Sequence, residues 1–280
     1  MKQRQITEQV LKKYKIQLMN EEKSRHTVEK YLRDIYCFRE FTRGGRINKT
    51  LTIQYKAYLE KEYAPASANS MIASLNSFLH FVGWAECCVK QFKVQKKTYC
   101  SEETELTKAE YISLVRAAEN EGNERLSLLI QTICGTGIRV SEVQFITVEA
   151  AQQGEATVSC KGKTRPIFIV SALRKKLLKY AKRQGIRNGM IFVTKGKKPI
   201  NRSNIWRDMK RLCRQAGVLP NKVFPHNLRH LFARTFYEIE KDIAKLADIL
   251  GHSSINTTRI YIVSTGAEHR RRMENMRLII

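Results

Sequence analysis

The 280-residue chain has no apolar run long enough for a transmembrane helix, and its first residues lack the apolar core of a signal peptide. Cysteine occurs at seven scattered positions and never in C-x-x-C spacing, which argues against a disulfide framework and against a zinc ribbon. These absences predict a reduced, cytoplasmic protein that does not span a membrane.

Acidic residues are also scarce. The chain has 51 Lys and Arg against 26 Asp and Glu, a formal net charge of +25. Both halves share the excess, since residues 1–100 hold 19 basic and 9 acidic side chains and residues 101–280 hold 32 and 17. Both halves are therefore expected to face the same polyanion. Nucleic acid or an anionic membrane surface fits this balance, and a merely soluble basic protein is the alternative.

Four segments of helical periodicity predict a small N-terminal helical bundle over residues 1–89. The second helix is expected to begin after an N-cap, Ser24, and to stop at Gly44, while the fourth stops at Gly83. The lysine-rich polar stretch 90–105 predicts an interdomain linker that can lie against a phosphate backbone, and a surface loop without a partner is the alternative.

A second domain is predicted over residues 106–280, because a capping-box pattern, Thr107 to Glu110, opens it. Residues 156–160 and 165–170 are short β-type runs, joined by a predicted hairpin turn at residues 161–164 with lysines at its tip. Helical patterns precede and follow the hairpin. The predicted fold class is therefore mainly α with a small antiparallel β hairpin, which makes the second domain mixed α/β.

Glycines at positions 135 and 137 interrupt a helical pattern in this domain. A dinucleotide-binding loop would need a strand before them and a third glycine at Val140, so that function is excluded. After the break the pattern predicts that a helix resumes over residues 138–143. Arg139 and Glu142 lie three residues apart in it and share a face.

A cluster of imidazole and guanidinium side chains follows Pro225, a residue suited to the first turn of a helix. His226, Arg229 and His230 come next at helical spacing. Two histidines four apart could bind zinc, but the metalloprotease motif needs glutamate where Asn227 lies, and no third ligand is evident. A histidine and an arginine at a helix N-terminus, where backbone N–H groups also point outward, suit a phosphate better.

Two further candidates lie near predicted helix ends. Gly251 predicts the stop of an apolar helix and leaves His252 just beyond its end. Ser253 and Ser254 can cap a short new helix that carries Tyr261. Alone, each candidate has an ordinary explanation, a surface histidine or a core tyrosine. Their order along the chain is the specific signal.

Taken in order, these motifs resemble the tyrosine recombinase (phage integrase) family over nearly the whole chain. The resemblance rests on Gly135-Thr-Gly-Ile-Arg139-Val-Ser-Glu142, a hairpin lysine, His226-Asn-Leu-Arg229-His230, Leu250-Gly-His252 and Tyr261. The N-terminal bundle, with Ser24-Arg-His-Thr-Val-Glu-Lys-Tyr31, looks like the family's SAM-like core-site DNA-binding domain. The resemblance implies two domains that form a C-shaped clamp on double-stranded DNA.

The resemblance also implies a chemistry. Tyr261 would attack a DNA phosphodiester and form a 3′-phosphotyrosine link, which keeps the bond energy for rejoining. Two arginines would stabilise the transition state, two histidines would add hydrogen bonds and help to move the tyrosine proton, and a hairpin lysine would protonate the leaving 5′-oxygen. These implied residues are Arg139, Arg229, His226, His252 and Lys161. Glu142 and His230 would support them, and no cofactor or metal ion is expected.

The hairpin lysine is the one departure from the family pattern. The family often has Gly-Lys-Gly-x-Lys-x-Arg, where this chain has Cys160-Lys-Gly-Lys-Thr-Arg165, one residue shorter. Lys161 takes the general-acid position if the gap falls after Gly162. Lys163 stays open as the alternative.

The implied assembly is a homotetramer that joins two DNA sites through a Holliday junction, at the nucleoid of a bacterial cytoplasm. The C-terminal segment 269–280 would dock on a neighbouring subunit or on its own domain. The short hairpin and the unusual stretch 148–156 favour integration and excision of a mobile element over Xer-type resolution of chromosome or plasmid dimers. A type IB topoisomerase and a catalytically silent DNA-binding regulator are the remaining alternatives.

Overall fold

The computed structural model describes residues 4–94, 103–160, 163–194, 196–261 and 266–276. The chain divides into two compact units, Met1–Lys96 and Lys97–Ile280. In these described ranges, no helix combines the length and the apolar character needed to span a bilayer.

The first unit is a bundle of four α-helices, as the spacing of its apolar residues predicts. The helices are α1 (Glu8–Asn20), α2 (Arg25–Thr42), α3 (Lys49–Glu62) and α4 (Pro65–Phe81), followed by a 3-10 helix (Ala85–Cys87). Ser24 caps α2 as predicted, because its Oγ accepts a hydrogen bond from the backbone N–H of Thr27. Tyr14, Phe38 and Phe78 are almost completely buried, so these aromatic rings form the core of the unit.

The second unit places a two-stranded antiparallel sheet among helices. Its elements are α5 (Lys108–Asn120), α6 (Glu124–Thr136), α7 (Val148–Gln153), β1 (Glu155–Cys160), β2 (Lys163–Phe168), α8 (Ser171–Arg183), α9 (Arg202–Ala216), α10 (Pro225–Glu240), α11 (Ile243–Leu250), α12 (Ile255–Arg259) and α13 (Gly266–Asn275). Two 3-10 helices, Val140–Phe145 and Pro220–Lys222, lie between them. The prediction of a mainly α chain with a small antiparallel hairpin is confirmed.

The predicted helix over residues 138–143 is wrong in type. Gly137 ends α6 in the left-handed conformation, and the chain then forms a 3-10 helix, in which the N–H of Glu142 donates to the carbonyl of Arg139, three residues back. This tight turn sets the side chains of Arg139 and Glu142 against each other.

The predicted hairpin tip is too long. Lys163 and Thr164 are paired residues of β2, opposite Cys160 and Ser159, because the register of the two strands leaves only two residues between them. Lys161 is one of those two and lies outside the described residues.

Tyr261, predicted on a short helix, instead follows it by two residues. Ser254 caps α12 as expected, but the helix ends at Arg259. The N–H of Tyr261 then donates to the carbonyl of Thr258, and this final turn directs the tyrosine ring inward.

Gly137 also determines how closely α6 and α10 approach. Its φ of +65° favours glycine, and a Cβ at this position would overlap the Phe232 ring of α10. The contact brings Arg139, two residues beyond the glycine, beside the first turns of α10.

Candidate active site

Helix α10 carries three predicted site residues on its first two turns. Pro225 occupies the first helical position, where a missing N–H costs no hydrogen bond. His226, Arg229 and His230 then follow on adjoining parts of the helix surface. The ring centroids of the two histidines are 4.8 Å apart, so the start of α10 gathers two imidazoles and a guanidinium.

Tyr261 lies among these side chains. Its residue is 6% exposed, and its Oη is 3.3 Å from Nε2 of His226. The ring centroid of Tyr261 lies 4.3 Å from that of His230 and 5.1 Å from that of His252. Three imidazoles therefore enclose the phenol ring, and one of them contacts its oxygen.

Arg229 is the deepest charge in the site, with 1% of the residue exposed. One terminal nitrogen donates to the carbonyl of Gly137, and the other donates to the carbonyl of Leu250 at 2.7 Å and to Nε2 of His252 at 2.9 Å. A buried guanidinium needs such acceptors to offset the loss of its hydration. Its Nε is buried without a hydrogen-bond partner among the described residues.

The C-terminal end of α11 supplies acceptors to three arginines. The carbonyls of Ile249, Leu250 and Gly251 accept from Arg165 at 2.6 Å, from Arg229 at 2.7 Å and from Arg139 at 3.2 Å, respectively. The last carbonyls of a helix have no partner within it and carry its negative dipole charge. Three consecutive main-chain oxygens thus hold three cations together.

His252 is fixed in one tautomer by its neighbours. The Arg229 guanidinium can only donate, so Nε2 of His252 accepts and the ring proton lies on Nδ1. That proton points to Oγ1 of Thr258, 2.9 Å away, and Thr258 is completely buried. Thr258 is therefore an orienting residue that the sequence pattern did not identify.

Glu142 joins two arginines through one buried carboxylate. Oε1 accepts from Arg139 at 2.9 Å and Oε2 accepts from Arg165 at 2.6 Å. The Glu142 side chain is 3% exposed, and that of Arg165 is 12% exposed. Arg165 is the second site residue that the sequence did not predict. Its position in the strand just after the hairpin lysines could have indicated it.

Burial dominates the protonation equilibria of the site. Burial, with help from His230 and the arginines, lowers the pKa of His226 to about 4. Burial, aided by Arg229 and Arg139, lowers the pKa of His252 to about 4. Burial and repulsion by Arg139 lower the pKa of Arg229 to about 10. Near neutral pH the imidazoles of His226 and His252 are therefore uncharged while the Arg229 guanidinium is charged, which leaves a positive site suited to an anion.

A cleft of about 620 Å³ opens beside this cluster. Arg139, His226 and Arg229 line it together with Arg202 and Trp206. Arg139 is the accessible cation of the cluster, since 39% of its side chain is exposed. A phosphate in this cleft could contact guanidinium and imidazole groups while remaining close to Tyr261.

The remaining predicted residues differ in how well the structure places them. Lys163 lies in β2 and Lys161 is outside the described ranges. Among the described residues, no group of three or more His, Cys, Asp or Glu side chains is arranged to hold a metal ion. His226 and His230, the pair considered for zinc, instead pack their rings against Tyr261.

Comparison with known protein families accounts for both units. Residues 104–268 match the model of the phage integrase family, and residues 11–86 match that of the phage integrase N-terminal SAM-like domain. The first match covers more than half of the chain and contains the whole cluster around Tyr261.

Individual relatives agree with the family models. The tyrosine recombinase XerA of Pyrococcus furiosus is 29% identical, over 100% of this chain and 98% of its own. Two of the solved structures that share the fold illustrate this. One is XerH site-specific recombinase bound to difH substrate (TM-score 0.70, 18% identity, covering 95% of this chain and 84% of that one). The other is a lambda integrase tetramer bound to a Holliday junction (TM-score 0.72, 19% identity, covering 90% and 76%). The chain therefore belongs to the phage integrase family, the tyrosine recombinases, which are enzymes that cut and rejoin DNA.

Proposed function

We propose that this protein is a site-specific recombinase in which Tyr261 is the nucleophile. The single observation that carries the proposal is the 3.3 Å contact between the Tyr261 Oη and the His226 Nε2, beside a cleft lined by Arg139 and Arg229. A nucleophile in contact with a proton acceptor, next to paired cations, is the arrangement that phosphoryl transfer to a hydroxyl requires.

In the cleavage step the Tyr261 oxygen forms a bond to the scissile phosphorus as the bond from phosphorus to the 5′-oxygen breaks. The products are a 3′-phosphotyrosine and a 5′-hydroxyl end. The phenol proton passes to Nε2 of His226 in the tautomer that carries its own proton on Nδ1. The lowered pKa of about 4 keeps this imidazole uncharged near neutral pH. The reverse attack by a 5′-hydroxyl rejoins the strand and needs no external energy source.

The two arginines would stabilise the charge that develops on the non-bridging oxygens. Arg139 reaches the cleft and is held by an ion pair with Glu142, and the Arg229 side chain lines the same cleft. Fixed cations in a site of low dielectric act more strongly than mobile ions in water. In the free protein, Nε2 of His252 accepts from Arg229. We propose that the phosphate takes over as the acceptor for Arg229 and that His252 then hydrogen-bonds to the phosphate.

The leaving 5′-oxygen needs a proton donor, and we propose Lys161 for it. The register of β1 and β2 supports this choice, because Lys161 falls between the two strands while Lys163 is paired within β2. Lys163 is the alternative donor. Glu142 and His230 are proposed as supporting residues, and no metal ion or cofactor takes part.

We further propose that four subunits act on two double-stranded DNA sites in the bacterial cytoplasm, at the nucleoid. Lambda integrase, which has a similar fold, was solved as a tetramer bound to a Holliday junction, and this supports the proposed stoichiometry. In this proposal residues 1–89 bind the core site, residues 90–105 link the domains, and residues 106–280 carry out catalysis. The described side chains of α13 are exposed, which favours docking of the C-terminal segment on a neighbouring subunit.

The biological role that we propose is integration and excision of a mobile element. The short hairpin between Cys160 and Lys163 supports it. Resolution of chromosome or plasmid dimers is the second candidate, favoured by the full-length similarity to XerA. The two roles are separated by trapping the protein covalently on fragmented host DNA and sequencing the attached DNA. Attachment at the ends of a mobile element and at its target sites supports the first role. Attachment at one chromosomal site supports the second.

The catalytic proposal is tested with a nicked duplex built from the captured sequence, which traps the covalent adduct because a short 5′-hydroxyl fragment diffuses away. Wild type and Tyr237→Phe should form the adduct, and Tyr261→Phe should form none while binding DNA equally well. Tyr237 packs against the apolar cluster that contains Tyr261, so its variant controls for loss of a phenol hydroxyl. An equal adduct yield from Tyr261→Phe would remove Tyr261 as the nucleophile.

The same preparation distinguishes the rival activities. A wild-type protein that binds its captured site without forming an adduct is a DNA-binding regulator. Efficient relaxation of a supercoiled plasmid that lacks the site indicates a type IB topoisomerase instead of a recombinase.

A further inference from the structure

A short segment lies along the rear of the active-site helix. We call residues 103–106 the strap. Side-chain amides of Asn221 and Asn227 donate to the carbonyls of Glu103 at 3.3 Å and Thr104 at 2.7 Å, and the guanidinium of Arg234 donates to the carbonyl of Leu106 at 2.7 Å. Two of these donors belong to α10, so the strap is fastened to the helix that carries His226 and Arg229.

The strap places one carboxylate inside the protein. Glu105 is 7% exposed, with Oε1 lying 3.6 Å from Nδ1 of His230 and Oε2 lying 3.5 Å from the guanidinium of Arg234. An apolar residue would fill this position without the desolvation cost of a carboxylate. The charge is therefore better explained by what it holds in place than by stability.

His230 connects the strap to the nucleophile. Its side chain is 12% exposed, and Nδ1 faces Glu105 at the rear of the site. The imidazole ring lies against Tyr261, with centroids 4.3 Å apart and planes inclined by 33°. Any rotation of His230 that followed a change at Glu105 would move the surface on which the Tyr261 ring rests.

We propose that Glu105 is a positioning residue for Tyr261 and acts through His230, an inference that rests on the proposed function of Tyr261 as nucleophile. The Arg234 guanidinium lies 3.5 Å from the second carboxylate oxygen of Glu105, and the strap hydrogen bonds fix the main chain around it. Glu105 contributes no atom to the reaction. Its effect is on the direction from which the Tyr261 oxygen approaches phosphorus, and attack in line with the leaving oxygen depends strongly on that direction.

The test compares Glu105→Gln with Glu110→Gln. Glu110 lies five residues further along and pairs with Lys222 at 2.9 Å, but has no described contact with His230 or Tyr261, so it controls for loss of a partly buried carboxylate. Each full-length protein is labelled with 3-fluorotyrosine, and the Tyr261 resonance is identified by its absence from Tyr261→Phe. The adduct-forming rate is measured in a single turnover on the nicked duplex, and DNA affinity is measured separately.

We expect Glu105→Gln to move the Tyr261 fluorine resonance and to slow adduct formation on the order of 10-fold to 100-fold, with DNA affinity unchanged. Glu110→Gln should change neither the resonance nor the rate. Glu105→Asp, which keeps the charge, should restore part of the rate and replaces the glutamine variant if that one does not fold.

Two results would overturn the proposal. One is an unmoved Tyr261 resonance in Glu105→Gln, which refutes the positioning role of Glu105 even if the protein never cleaves DNA. The other is a moved resonance with an unchanged rate. Failure of the wild type to form any adduct is a different result, since it refutes the proposed function and leaves the fluorine comparison to decide the contact.

Discussion

Replacement of Arg165 by methionine should destabilise the second unit and disturb Arg139 at once. Arg165 donates to Glu142 and to the carbonyl of Ile249, both at 2.6 Å. Removing one partner of a buried ion pair costs about 3–5 kcal/mol. Because Glu142 keeps Arg139 as a partner, and because 39% of the Arg139 side chain is exposed, we expect a loss of about 2–3 kcal/mol in the free energy of unfolding.

The assay is urea unfolding followed by tryptophan fluorescence. The chain has two tryptophans, Trp84 in the first unit and Trp206 in the second, so a Trp84→Phe background reports the second unit alone. Arg174→Met is the matched control, since Arg174 donates to the carbonyl of Ala151 at 2.9 Å without a carboxylate. It should lose only about 1 kcal/mol.

A double-mutant cycle with Glu142→Gln isolates the ion pair. The combined Arg165→Met and Glu142→Gln variant should be less destabilised than the sum of the single variants, by about 1–3 kcal/mol. A coupling energy below about 0.5 kcal/mol would refute the view that the Glu142 carboxylate organises the arginines. Adduct formation should fall in both single variants, because each leaves Arg139 with an altered partner.

Three further predictions concern the surroundings of Tyr261. Thr258→Val leaves the Nδ1 proton of His252 without its acceptor and should cost about 1–3 kcal/mol, whereas the exposed Thr257→Val should be neutral by urea unfolding. Gly137→Ala should cost about 1–3 kcal/mol of unfolding free energy through backbone strain and overlap with Phe232. The double variant with Phe232→Leu should recover part of this loss, and strictly additive losses of the two single variants would contradict the overlap. The folded pKa of about 4 for His226 and His252 lies below the unfolded value of about 6.5, so the unfolded chain takes up protons first and stability should fall as pH decreases through this window. Replacing both histidines by glutamine should flatten the dependence of melting temperature on pH. An unchanged slope would contradict the assignment of this pH dependence to the two histidines.

The sequence was informative where local rules decide the structure. The spacing of His226, Arg229 and His230 required only that a helix begin at Pro225, and Gly251 marked the end of α11 correctly. Neighbouring turns of one helix meet whatever the rest of the fold does. These residues could therefore be grouped before any tertiary contact was known.

Residues that act across long sequence separations were missed for a physical reason. Arg165 meets Ile249 across 84 positions, and Glu105 meets His230 only because the strap lies on α10. Thr258 lies close to His252 in sequence, but its orienting role depends on Arg229 fixing the tautomer of that ring. The periodicity of apolar residues predicts which face of a helix is buried. It does not predict which residue pairs with a charged side chain on that face.

The carbonyls at the end of α11 have a consequence for how this site responds to acid and to mutation. A main-chain oxygen has no pKa in the biological range and cannot be removed by a substitution at its own position. The alignment of Arg139, Arg165 and Arg229 thus depends partly on acceptors that neither a proton nor an ordinary point mutation takes away. The vulnerable part is geometric, because a shift of α11 by one residue would misplace three guanidinium groups together. Gly251 ends this helix against Arg165, so the position of the helix end matters to all three.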